Sequence, residues 1–122
     1  MIEALAIGAA VACLAHCLLV PLLLVTMPVM AVILPIPENF HVVALILAIP
    51  ATAGALYAGY CRHRLALPLL AGGVGLGLLS VAALAWHATP LEVPVTVVGS
   101  LFIAAAHVAN WRYRRSAPPE IF

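Results

Sequence analysis

Residues 65–86 read LALPLLAGGVGLGLLSVAALAW, a run without a single Asp, Glu, Lys or Arg. A helix needs about 20 such residues to cross the roughly 30 Å hydrocarbon core of a bilayer. The run therefore reads as a transmembrane span. Arg62 and Arg64 stand before it and Glu92 after it, and beyond these flanks the same composition recurs. Further spans are expected at residues 4–34, 40–60 and 93–111. The breaks at 35–39, 61–64 and 87–92 are short enough to force consecutive helices to be antiparallel neighbours. The expected fold is an all-α membrane protein, an antiparallel four-transmembrane-helix bundle, with residues 1–122 as a single membrane domain.

The whole chain has this character: 66% of its residues are hydrophobic and 7% charged. A formal net charge of +1 with only five arginines cannot supply the dense basic surface that a nucleic-acid backbone needs, so nucleic acid is excluded as a partner. Three cysteines cannot all pair within one chain, and none falls in an extracellular loop, so free thiols are expected. Only Glu3 precedes the first apolar run, where a secretory signal would place basic residues, so that run reads as a retained helix.

Short loops rich in arginine stay on the cytoplasmic side of a membrane. Arg62 and Arg64 lie between spans two and three, and Arg112, Arg114 and Arg115 follow span four, on the same side of a four-span chain. The expected location is the cell inner membrane, multi-pass, with both termini cytoplasmic. Tyr57, Tyr60, Trp86, Trp111 and Tyr113 sit near span ends, as an interfacial aromatic belt requires. Gly54 with Ala58, Ala55 with Gly59, and Gly73 with Gly77 lie four apart and offer small faces for close helix contact. Such faces suit packing within the bilayer, and association with a second copy or a larger membrane complex.

Chemistry concentrates in the first span. Cys13, His16 and Cys17 occupy positions i, i+3 and i+4, which share one face of a helix. Thiolate and imidazole select soft or borderline ions such as Hg, Cu or Zn, whereas hard cations want oxygen ligands that this chain hardly has. Pro21 has no N–H to give the Cys17 carbonyl, so a bend is expected there. His107, near the end of span four, is a fourth candidate ligand, and it precedes Asn110 by three residues. On the opposite side, His41, His87, Glu38 and Glu92 place two imidazoles and two carboxylates where an ion would first be met. Cys61 and His63 lie in the basic loop where it would leave; Arg62, His63 and Arg64 also read as topology determinants and headgroup contacts. No tightly bound cofactor is expected beyond a transient soft metal ion. No nucleophile, base and orienting group occur together, so the chain does not read as an enzyme.

Three stretches carry a family resemblance across nearly the whole chain: Cys13 and Cys17 followed by Pro21, the turn Gly59-Tyr60-Cys61-Arg62-His63-Arg64, and the segment His107-Val108-Ala109-Asn110-Trp111-Arg112. The chain resembles the MerC family of small four-span mercuric-ion uptake proteins, as a divergent member. That resemblance implies that the cysteines of the first span accept Hg(II) within the membrane and relay it to the cytoplasm. The alternative reading is a non-transporting small subunit or assembly factor of a larger membrane complex.

Overall fold

The computed structural model describes residues 39–118 without a break, residues 26–33 and 37, and positions 8, 11, 12, 15, 16, 19, 22 and 23; for residues 28, 30, 31 and 40 it describes the backbone alone. The elements in chain order are α1 (Pro28–Ile33), α2 (Phe40–His63), α3 (Leu67–Leu84) and α4 (Glu92–Ser116). Among the described residues there is no strand. Three helices, His41–His63, Leu67–Leu84 and Glu92–Ser116, are long and apolar enough to cross a membrane.

Residues 64–66 connect α2 to α3. Arg64 ends α2 in the left-handed region (φ 59°), its N–H donating to the Tyr60 carbonyl, and Pro68 sits in the first turn of α3, where a missing N–H costs no helical bond. Two helices, α2 and α4, outrun their apolar spans, while α3 stays within residues 65–86. α2 continues through Cys61, Arg62 and His63, which the composition assigns to a loop, and α4 runs on to Ser116. Nothing at the membrane surface stops a helix, and basic residues in the last turn favour the negative end of its dipole.

Packing is inside-out relative to a soluble protein. Small residues fill the interior, with Ala82 and Ala106 essentially inaccessible, while Ile46, Leu47, Leu70, Leu84 and Leu101 face outward. Lipid offers little hydrophobic drive for helix association, so close backbone approach takes its place. That approach is tightest between α3 and α4: a Cβ on Gly75 would stand 2.8 Å from the Gly99 carbonyl oxygen, and one on Gly99 would stand 3.0 Å from that of Gly75. Leu45, Leu79, Ala83 and Ile103 pack beside this crossing. Thr96 and Ser100 donate to the Glu92 and Thr96 carbonyls of their own helix, both at 2.7 Å, which satisfies their hydroxyl protons in an apolar surrounding.

α2 and α4 run parallel, with α3 antiparallel beside them. His41 meets Glu92 at one end of the pair, and Gly59 meets Asn110 at the other. The interval is eighteen residues on both helices, which is about five complete turns and about 27 Å of rise. The two contacts therefore lie on one face of each helix, about one hydrocarbon thickness apart.

The expectation of four packed spans is met in part. Among the described residues α2, α3 and α4 form the packed unit, and α1 makes no packing contact with them. The described positions from 8 to 23 are helical, and Met27 N–H donates to the Leu23 carbonyl at 2.8 Å. The expected bend at Pro21 lies outside the described residues.

The glycines that make contacts differ from the expected ones. Ala55 with Gly59 does face a neighbour. Among the described residues Gly54, Gly73 and Gly77 have nothing within 4 Å, and Gly72, Gly75 and Gly99 carry the crossings. α3 is so rich in glycine that spacing alone leaves its buried face open.

Candidate functional site

Of the first-span cluster, Cys13 and Cys17 lie outside the described residues; His16 is described, helical and exposed. His107 projects from α4 one turn before Asn110, half-buried, next to the fully buried Ala106. Cys61 is a free, exposed thiol in the last turn of α2.

His41, His87 and Glu92 do converge; Glu38 lies outside the described residues. Glu92 opens α4, where a carboxylate suits the positive end of the helix dipole. Its Oε2 accepts the Ala88 N–H at 2.7 Å. Its Oε1 stands 3.4 Å from His41 Nδ1 and 3.3 Å from His87 Nδ1. Three elements thus meet at one carboxylate: the first turn of α2, the connection after α3, and α4. Ala88 reaches this position in the left-handed region (φ 61°), and Thr89 Oγ1 donates to the Trp86 carbonyl at 2.7 Å to close the turn. Glu92 is largely covered, at 13% exposure, while His41 and His87 keep 34% and 45%. The cluster can exchange protons or ligands with the aqueous side.

At the other end the polar groups are internal. Leu65 N–H donates to His63 Nδ1 at 3.0 Å. An accepting Nδ1 carries no proton, so the neutral ring holds its proton on Nε2. That proton is donated to Asn110 Oδ1, 2.9 Å away, and Asn110 Nδ2 in turn donates to the Ala55 carbonyl at 3.3 Å. Asn110 is 5% exposed. Gly59 is the residue that admits it, since a Cβ there would collide with the Asn110 carboxamide. The Tyr113 ring packs edge-on against His63 at 5.6 Å between centroids. Both ring nitrogens of His63 are thus engaged, and a metal ion bound there would have to displace one of these bonds.

Sequence reasoning placed Asn110 beside His107 and missed its pairing with His63, Gly59 and Ala55. The available signal was that a buried carboxamide in an apolar helix must find partners, and His63 is the polar side chain at its level. Among the described residues, no three His, Cys, Asp or Glu side chains form a group able to hold a metal ion. His41, His87 and Glu92 meet as hydrogen-bond and ion-pair partners around one oxygen.

No curated protein and no solved structure matches the chain. A family model does: that of the MerC mercury resistance protein, over residues 3–112. The match runs from before the first cysteine, through α2 and α3, and into α4 as far as Arg112, beyond the buried Asn110. On that extent the chain belongs to the MerC family, as a multi-pass membrane protein of mercury resistance.

Proposed function

We propose that the chain carries mercuric ion, or another soft or borderline ion such as Cu or Zn, across the inner membrane. Cys13, His16 and Cys17 act as the central relay and His107 as a further ligand. The observation that carries this reading is the family match over residues 3–112, a stretch that includes both cysteines. Its chemistry follows from the residues: two thiols and an imidazole at helical spacing make a desolvated soft-ion site, and the thiols must lose their protons to bind. In the same reading the first span completes a four-helix bundle and the arginine-bearing end faces the cytoplasm, with both termini. His41, His87, Glu38 and Glu92 meet the ion first, on the outer side, and Cys61 and His63 lie where it leaves.

The test is uptake of Hg(II) by cells expressing the native chain or the Cys13→Ser, Cys17→Ser double variant. The double variant is expected to abolish uptake, His16→Gln to weaken it, and Cys61→Ser to have the smallest effect. Accumulation of Hg, Cu and Zn equal to that of native cells would end the carrier reading.

One observation favours a second reading, a non-transporting subunit or assembly factor of a larger membrane complex. Gly54, Gly73 and Gly77 offer exposed backbone with nothing within 4 Å among the described residues. Stable co-purification with a complex that fails to assemble without this chain would select it.

A further inference from the structure

Every Lys or Arg of the chain is an arginine, and all five fall at one end of the molecule. Arg62 lies in the last turn of α2 and Arg64 just after it; Arg112, Arg114 and Arg115 lie in the last turns of α4. The hydrogen bond from His63 to Asn110 and the His63–Tyr113 ring contact hold these two helix ends side by side. Glu92 stands at the opposite end.

Two details show what this surface is shaped to meet. Arg64 occupies a left-handed position (φ 59°) that glycine adopts more readily, so its guanidinium and not its backbone accounts for an arginine there. The Arg115 guanidinium lies 4.6 Å over the Trp111 ring, which fixes a positive charge at the depth of an interfacial indole. Directly beside the basic groups the surface turns apolar: Leu67 is 60% exposed, Val108 52% and Trp111 41%. An acidic protein face would satisfy the arginines and leave this apolar skirt in the wrong solvent. An amphiphile with an anionic head and hydrocarbon tails satisfies both.

We propose that the arginine end is a binding surface for anionic glycerophospholipids, with Arg64, Arg112 and Arg115 on the phosphates and Leu67, Val108 and Trp111 along the acyl chains. Guanidinium suits this task because its planar fork can donate two hydrogen bonds to one phosphate. The proposal is independent of metal transport.

The two tryptophans of the chain, Trp86 and Trp111, lie at opposite ends, so each can report its own surroundings. The full chain is reconstituted in vesicles as Trp86→Phe, leaving Trp111, or as Trp111→Phe, leaving Trp86. Fluorescence quenching by acyl-brominated phosphatidylglycerol is then compared with quenching by the matching phosphatidylcholine. Each surface arginine near an anionic headgroup is worth about fivefold in association. Trp111 should therefore prefer phosphatidylglycerol by about fivefold or more, and Trp86 should show no preference. Adding Arg64→Gln, Arg112→Gln and Arg115→Gln to Trp86→Phe should bring the Trp111 preference close to one. Inorganic phosphate at matched ionic strength should leave it unchanged. Equal quenching by the two lipids at Trp111, an equal preference at both tryptophans, or a preference that survives the arginine changes would overturn the proposal. Loss of the preference on adding phosphate would also overturn it, assigning the surface to a free anion.

Discussion

The same pair of helices, α2 and α4, is fastened at both ends, and the two fastenings are made differently. At the arginine end the parts are neutral and fully assigned around the buried Asn110: Leu65 N–H to His63, His63 to Asn110, Asn110 to the Ala55 carbonyl. At the opposite end a single carboxylate is shared between two half-exposed imidazoles at 3.3 and 3.4 Å. Breaking the first leaves buried donors and acceptors unpaired, which costs about 1–3 kcal/mol for each group. Breaking the second returns charges to water, and pairs of that kind contribute about 0–1 kcal/mol. Stability therefore resides at the arginine end, and the Glu92 end is free to change its partners.

The strongest way to break this comparison is Gly59→Val. The new side chain would occupy the space of the Asn110 carboxamide, and overpacking together with lost hydrogen bonds should cost about 3 kcal/mol or more. Reversible unfolding in detergent would measure it, and a native midpoint would show that α2 and α4 do not meet there. Next comes Asn110→Ala, expected to cost about 1–3 kcal/mol. Combining it with His63→Ala should add much less than the sum of the single changes, because the two residues share one network; simple additivity would remove the link between them. Glu92→Gln should cost at most about 1 kcal/mol, and less in high salt, where exposed pairs are screened. A loss as large as that of Asn110→Ala would reverse the ranking of the two ends. Smallest is Gly77→Ala, which should be neutral or stabilising by up to about 1 kcal/mol, since its Cβ meets nothing among the described residues and alanine is the better helix former.

How far the sequence reveals this molecule depends on the kind of force involved. Spans two to four are legible because unbroken apolar length is a direct consequence of bilayer thickness, and the basic end is legible because arginine cannot be left in lipid. The buried face of α3 is not legible: with glycines at 72, 73, 75 and 77, small residues occur on several faces, and only the positions of α2 and α4 select Gly72 and Gly75. His63 was hidden for a different reason. Ending the helix at Tyr60 makes His63 a loop residue, whereas three more helical residues turn it by about 300° toward α4 and Asn110. The convergence of His41, His87 and Glu92 was visible as a grouping on one side of the membrane, but not as three groups sharing one carboxylate oxygen.

The eighteen-residue interval between the two fastenings also limits how this protein can change length. Adding one residue to α4 alone between Glu92 and Asn110 would swing one of them about 100° around the helix, so that only one end could stay joined. Adding one residue to both helices would restore the level but not the facing. Only matched insertions close to a whole number of turns, such as seven residues in each helix for about two turns, keep both joints closed. A longer relative adapted to a thicker membrane should therefore differ from this chain in coordinated steps of about 10 Å rather than by gradual drift.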